Sequence, residues 1–183
     1  SSLLNIFTNA INAQTPESTT GLVGHWTFDE GSGTTAGDSS GSGNDGVLTN
    51  MDPNTDWVTG KIGGALSFNG VDNYVSIPNY TLDEFTISAW VRLDINPAWQ
   101  TDAVFSSLGG VTGNNLIRFE LGGTATPKMK FWMRTSGPWQ NISILADNAW
   151  TSNVWTNVIA IRRGSTVEMW IDGVKQAETA TWN

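Results

Sequence analysis

Residues 85–93 read FTISAWVRL, and apolar side chains occupy every second position of this stretch. Successive side chains of a β-strand point to opposite faces, so strict alternation predicts a strand that lays one face on a core. The intervening positions hold threonine, serine, tryptophan and arginine, which suit a more exposed face. The predicted buried face carries Phe85, Ile87, Ala89, Val91 and Leu93.

Short apolar segments of the same kind recur along the chain, separated by glycine-rich and polar turn signals. Gly164-Ser165 and Asp172-Gly173 are typical of hairpin turns, and no long helical period appears after residue 20. About ten short strands at this spacing predict an antiparallel all-β sandwich. The other predicted strands are 21–28, 65–68, 73–77, 102–108, 115–121, 128–134, 141–146, 157–163 and 165–171.

Residues 1–20 have a different character. Their apolar residues stand near helical spacing, which predicts a short amphipathic helix, and the polar stretch TPESTT then follows as a linker. The favoured interpretation is instead that the segment is left over from a preceding domain or a processed leader. The apolar residues concerned are Leu3, Leu4, Phe7, Ala10 and Ile11.

Composition and charge exclude several kinds of site. The chain has 183 residues, enough for one domain with a sizeable core, and a formal net charge of -8. An excess of acids repels phosphate backbones, so nucleic acid is not an expected partner. The absence of cysteine excludes disulfides, thiol nucleophiles and cysteine-type zinc sites, and His25 is the one histidine. No apolar run reaches membrane-spanning length.

Four blocks occur in an order and spacing that resemble the laminin G-like jelly roll of the concanavalin A-like lectin/glucanase superfamily. The resemblance covers residues 21 to about 175. The four blocks begin with GLVGHWTFDEGSG, GKIGGALSFNGVDNYVSIP, FTISAWVRL and VIAIRRGSTVEMWIDGV, in that order. The resemblance implies a two-sheet antiparallel jelly roll over 21–183. It also implies an extracellular or cell-surface module that binds glycans or extracellular proteins without catalysis, often with bound calcium.

The resemblance also predicts a gap in the sheet. Members of this family usually continue beyond the WIDGV hairpin to a last strand that pairs near the first one, whereas ETATWN follows here. Either the sequence is truncated, or the last strand is disordered, or another segment fills the gap. An unfilled gap beside residues 21–28 would pair with a neighbouring chain or segment.

The loop of residues 28–46, FDEGSGTTAGDSSGSGNDG, is the candidate metal site. Calcium takes six to eight oxygen ligands, and this loop offers carboxylate, amide and backbone oxygens. In the alternative interpretation, Asp38 and Asn44 cap turns. The loop 69–73, NGVDN, is interpreted as a hairpin turn rather than a second cation site. The candidate calcium ligands are Asp29, Glu30, Asp38, Asn44 and Asp45.

Three tryptophans stand in polar, turn-rich segments, where an exposed indole can stack on the apolar face of a sugar ring. This predicts a site for neutral, ring-stacking sugars. The alternative is that the indoles cover apolar surface between loops. The candidate ligand-binding residues are Trp99, Trp139, Gln140, Asn141 and Trp150.

Catalysis is not expected. Glycoside hydrolysis needs two carboxyl groups that flank the scissile bond, and no E-x-D-x-x-E run occurs in the sequence. Glu120 and Glu168 are single acids within strand patterns. A carbohydrate-binding or adhesion module is therefore the first prediction. The alternative is a protein-binding domain of a bacterial surface appendage or adhesin, and a glycan-active enzyme ranks last.

Overall fold

The structure is a computed structural model that describes residues 2–5, 21–78, 84–93, 103–107, 116–122, 127–134 and 141–181. Every regular element in these ranges is a strand, and all strand pairings are antiparallel. The strands are β1 Ser2–Asn5, β2 Thr35–Ala36, β3 Gly46–Thr49, β4 Trp57–Thr59, β5 Gly64–Phe68, β6 Tyr74–Ser76, β7 Phe85–Arg92, β8 Ala103–Ser107, β9 Leu116–Gly122, β10 Lys128–Arg134, β11 Asn141–Leu145, β12 Thr156–Arg163, β13 Thr166–Ile171, β14 Val174–Lys175 and β15 Ala180–Thr181.

The chain divides into two compact units. The first contains Ser1–Pro78 and Ala89–Arg92, and the second contains Asn79–Ser88 and Leu93–Asn183. Strand β7 therefore contributes its first four residues to the second unit and its last four to the first.

In the first unit, β1 lies between β5 and β7, and β4 pairs with the other side of β5. A separate three-stranded sheet has the order β2-β3-β6. The interior is built from side chains that leave almost no surface in water. Phe28 is 1 % exposed, and Leu66 and Val91 are fully buried.

In the second unit, β11-β10-β9-β8 form a four-stranded sheet, and β14-β13-β12 lie side by side with β15 also paired to β13. Phe131 of β10 stands opposite Phe119 of β9, and their rings meet edge to face with centroids 5.6 Å apart. Phe85 approaches the same Phe131 ring at 6.2 Å. These rings, with Met129 and Ile144, are buried and fix one face of the sheet on a core.

Most predicted strands are confirmed, including β7, on which Phe85, Ala89 and Val91 are buried as expected. The predicted strand 21–28 is wrong, because it forms only an isolated bridge between Trp26 and Asp38. Phe28 ends that segment with a φ of 58°, in the left-handed region that no regular strand uses.

The predicted N-terminal helix is also wrong for residues 2–5, which form strand β1. Two neighbouring strands offer β1 backbone partners on both sides, and such tertiary pairing overrides a short helical period. Residues 6–20 lie outside the described residues, so the linker interpretation stays a prediction. The prediction that another segment fills a gap in the sheet concerned the place beside residues 21–28. The segment that enters a sheet is β1, and it lies between β5 and β7.

Candidate functional site

Asp38 holds the glycine-rich loop of residues 28–46 together, because each of its two carboxylate oxygens accepts two hydrogen bonds. Oδ1 accepts from the backbone N–H of His25 at 2.8 Å and of Ser40 at 2.9 Å. Oδ2 accepts from the Ser40 hydroxyl at 2.8 Å and from the backbone N–H of Asn44 at 2.9 Å. One carboxylate thus joins the segment before the loop to two points within it.

The charge of Asp38 is stabilised by these contacts. Partial burial raises the pKa of this carboxyl, but the bonds from Asn44, Ser40 and His25 outweigh that effect and hold the pKa at about 2, below the usual 3.8. A carboxylate that accepts several N–H bonds favours its ionised form in this way.

The other candidate metal ligands each hold a different part of the loop. Asp29 Oδ1 accepts from Gly64 N at 2.5 Å, Glu30 Oε1 accepts from Gly37 N at 2.7 Å, and Asp45 Oδ1 accepts from Asp38 N at 2.8 Å. The Asn44 amide donates to the Val23 carbonyl at 2.7 Å. These side chains therefore act at separate backbone positions rather than around one point.

The hydrogen bonds of Asp38 already occupy both of its carboxylate oxygens. An ionised carboxylate offers about four acceptor positions, and Asp38 uses four. Within the described ranges, no three acidic or histidine side chains come close enough to hold one metal ion. Calcium binding stays a prediction, and the structure supports the alternative in which Asp38 organises turns.

The loop 69–73 is a turn, as predicted. The Asn69 side-chain oxygen accepts from the backbone N–H groups of Val71, Asp72 and Asn73 at 2.9 to 3.2 Å. An asparagine that binds its own following backbone is the usual chemistry of such turns.

The candidate sugar-binding tryptophans are only partly described. Trp99, Trp139 and Gln140 lie outside the described residues, and Asn141 is described as the first residue of β11. Trp150 is half-buried, and its backbone N–H donates to the Pro127 carbonyl at 2.7 Å. Its indole Nε1 is buried and finds no hydrogen-bond partner in the described part of the chain, so this polar edge of the ring is not available at the surface.

A cluster that sequence reasoning did not assemble lies on the face of β9 and β10 opposite the buried phenylalanines. We call Arg118, Glu120, Lys130 and Trp132 the Glu120 cluster. Strand register places Lys130 opposite Glu120 and Trp132 opposite Arg118. The Glu120 carboxylate lies 2.8 Å from Arg118 Nε and 3.9 Å from Lys130 Nζ, and it accepts a 3.2 Å hydrogen bond from the Trp132 indole.

In this cluster the carboxylate of Glu120 is buried, whereas the basic side chains beside it are partly exposed. The Glu120 side chain is 7 % exposed, whereas Arg118 and Lys130 are 30 % and 32 % exposed. Arg118 Nε and Glu120 Oε2 are close enough for an ion pair, yet they are not aligned as a hydrogen bond and are buried without another partner among the described residues. Buried polar atoms that lack aligned partners are uncommon in folded proteins, so this ion pair departs from ordinary packing.

The neighbouring strands place small side chains beside Trp132 and Arg118. The row through Trp132 continues to Ser143 on β11, and the row through Arg118 continues to Ser106 on β8. Both serines are exposed and small. By register, Asn141 occupies the same face as Ser143, opposite Arg134. One of the predicted binding residues therefore falls on the face that carries the Glu120 cluster.

Comparison with known proteins identifies the superfamily of this fold. Residues 69–182 match the Laminin_G_3 family model, described as the concanavalin A-like lectin/glucanases superfamily. No curated protein matches the chain. The predicted antiparallel all-β fold of concanavalin A-like jelly-roll type is confirmed. Among the described residues, no helix is long and apolar enough to cross a membrane.

Two solved structures are similar. One is an S-layer domain-containing protein from Clostridium thermocellum ATCC 27405, at 28% identity over 87% of this chain and 72% of that chain, with a TM-score of 0.57. The other is domain 4 of AbnA, a GH43 extracellular arabinanase from Geobacillus stearothermophilus, in complex with arabinotriose. It is 21% identical over 87% of this chain and 74% of that chain, with a TM-score of 0.63.

Proposed function

Because the chain belongs to the concanavalin A-like lectin/glucanases superfamily, we propose that it is a non-catalytic carbohydrate-binding module whose binding face is the outer face of β9 and β10. The observation that carries this proposal is the Glu120 cluster, in which a half-buried indole stands beside a buried ion pair with unaligned polar atoms. Sugar sites combine these two chemistries, since the ring stacks on the aromatic face and its hydroxyls bind fixed polar groups.

The absence of a second acid on this face supports binding rather than hydrolysis. Hydrolysis of a glycosidic bond needs a pair of carboxyl groups on either side of the bond. At the outer positions of strands β8 to β11, as their register defines them, Glu120 is the one acid. Its carboxylate is paired with Arg118 at 2.8 Å, and the Glu120 side chain is only 7 % exposed.

The two similar structures support the setting of the proposal. Domain 4 of the extracellular arabinanase was solved with arabinotriose, which supports a sugar as the ligand and an extracellular position. The S-layer domain-containing protein favours a second candidate function, a protein-binding domain at a cell surface. We also propose that the 28–46 loop binds a structural calcium ion.

We expect Trp132→Ala to weaken binding of oligosaccharides by roughly 1 to 3 kcal/mol, by analogy with bases stacked on aromatic side chains. The reason is the loss of a stacking surface and of the indole donor to Glu120. Titration calorimetry on a panel of neutral and acidic oligosaccharides measures this, with wild-type affinities expected from about micromolar to millimolar.

Trp170→Ala is the matched control, because Trp170 lies on β13, opposite Ile159, away from this sheet. Circular dichroism confirms that both variants fold. Equal loss of binding in both variants, or no heat from any oligosaccharide with calcium present, would move the assignment to the protein-binding function.

A further inference from the structure

We propose that the ligand of this face carries a carboxylate, so that the module prefers acidic to neutral glycans. This rests on the proposed carbohydrate-binding function and names its substrate class. The chain carries nine basic and seventeen acidic residues, yet the outer positions of β9 and β10 reverse this balance. Those positions hold four basic residues and one acid, namely Arg118, Lys128, Lys130, Arg134 and Glu120.

Glu120 does not fully neutralise Arg118 and Lys130. Lys130 Nζ is 3.9 Å from Glu120, beyond hydrogen-bond distance, so its ammonium donors remain available. Arg118 presents one edge of its guanidinium to Glu120 through Nε, and arginine has five N–H donors in all. A carboxylate can take two parallel bonds from such a group.

Two acids of the segments that follow β11 bind backbone N–H groups. Asp147 accepts the backbone N–H of Ala177 at 3.0 Å, and Glu178 accepts that of Leu145 at 2.8 Å. Lys128 donates to the Asp147 carbonyl at 2.8 Å, which fixes its position at the end of the face. The prediction of neutral, ring-stacking sugars from the exposed tryptophans is not tested by this charge distribution and stays a prediction for those residues.

The test uses two ligand series that differ in one group. Oligogalacturonate and the corresponding neutral galactose oligomers are titrated into the intact chain at low and high sodium chloride. We expect about tenfold tighter binding of the acidic series at low salt, because a charge-assisted bond is worth roughly that factor. This preference should disappear at high salt, since salt screens charges that are exposed to water.

Lys130→Gln should remove most of the preference, because it weakens binding of the acidic series more than binding of the neutral series, and Lys175→Gln, whose lysine pairs with Glu168 on another sheet, should change neither. Equal affinity for the two series would overturn the acidic preference alone. Absence of binding to either series and to every oligosaccharide of the wider panel would overturn the carbohydrate function itself, so the two failures are distinguishable.

A second inference rests on strand β1. We infer that the place between β5 and β7 is a strand-acceptor site that the N-terminal strand of a second copy of this chain can occupy. Leu3 pairs with Ser67 on one side and Arg92 on the other. Leu4 is the partner of both Leu66 and Val91, which are fully buried.

Two features favour exchange between copies. Without β1, the facing sides of β5 and β7 expose unpaired N–H and C=O groups, which select for another strand. Residues 6–20 separate β1 from the rest of its unit, and fifteen residues can span up to about 50 Å. An identical segment from another copy makes the same contacts, so exchange costs little in pairing energy.

The cysteine-free sequence allows a direct test by disulfide trapping. Cα partners in antiparallel strands lie about 4.5 to 5.5 Å apart, which suits a disulfide. Leu3→Cys and Ser67→Cys chains are mixed, warmed, cooled and oxidised with oxidised glutathione. A covalent heterodimer on non-reducing gels is expected.

The double variant with both cysteines in one chain should form an internal disulfide, and a chain with Leu3→Cys and Thr59→Cys should form none, because Thr59 lies on β4 beyond β5. An internal disulfide without heterodimers would show that β1 pairs only within its own chain and would overturn exchange. If the double variant forms no internal disulfide, β1 does not pair with β5 in its own chain.

Discussion

Replacing Asp38 by alanine is expected to lower the free energy of unfolding by about 3 kcal/mol, in the range of broken polar networks. The change removes four hydrogen bonds at once and leaves the N–H groups of His25, Ser40 and Asn44 without their acceptor. Urea unfolding followed by tryptophan fluorescence measures it. Glu30→Ala is the matched control, because Glu30 accepts a single bond from Gly37 and should cost about 1 kcal/mol.

The contribution of the Asp38 carboxylate to the free energy of unfolding is expected to depend on pH. Its pKa is lowered in the folded state from 3.8 to about 2, so its contribution is complete above pH 3.8 and is lost as pH falls towards 2. Asp38 is half-buried, and screening by solvent reduces this contribution to about 1 to 2 kcal/mol. The alanine variant should therefore lose less stability than the wild type over that interval. A cost to Asp38→Ala no larger than that of the Glu30 control would refute the role of Asp38.

Melting curves of these proteins in calcium and in chelator test the proposed cation. If calcium binds through Asp38, the wild-type melting temperature rises with calcium, because a ligand of the folded state stabilises it, and Asp38→Ala removes that response. If hydrogen bonds alone hold the loop, wild type melts at the same temperature in both solutions.

Gly64→Ala is expected to cost about 3 kcal/mol or more, through overpacking against backbone. A Cβ at this position would lie 2.0 Å from the Phe28 carbonyl oxygen and 3.1 Å from the Asp29 Cα. Neither atom belongs to a side chain that can rotate away, so β5 or the buried Phe28 must move.

Gly41→Ala is the comparison for Gly64→Ala. Gly41 has a φ of +87° and open space around its Cβ position, so alanine there meets backbone strain without a clash and should cost about 1 kcal/mol. Urea midpoints and slopes of both variants measure the difference. Equal costs would show that Phe28 and Gly64 are not in close approach.

The close approach of Gly64 to Phe28 shows why sequence predicted some parts of the fold and not others. Strand β7 could be predicted because alternation is a local property of FTISAWVRL. Phe28 was placed in a regular strand by the same rule, but contacts with distant residues give it a left-handed conformation. The spacing of apolar residues carries no information about the approach of the Phe28 carbonyl oxygen to Gly64, which lies thirty-six residues later in the chain.

The candidate site divides in the same way. The composition of residues 28–46 correctly drew attention to Asp38, and the turn-capping alternative described its bonds. Alternation in 115–121 and 128–134 put Arg118 with Glu120 and Lys130 with Trp132, but the register between the strands fixes the cluster. Alternation fixes the face of each side chain within its own strand, but it does not fix which residue of the partner strand stands opposite.

The position of β1 has a consequence for synthesis. Leu3 is made long before its partners Ser67 and Arg92. At about 5 to 20 residues per second, roughly 5 to 20 s pass before β7 is complete. During that interval the segment has no site in its own chain, while chains on neighbouring ribosomes of the same messenger are completing theirs. Translation speed and ribosome spacing, rather than equilibrium stability, would then set how many strands end in a neighbour's sheet.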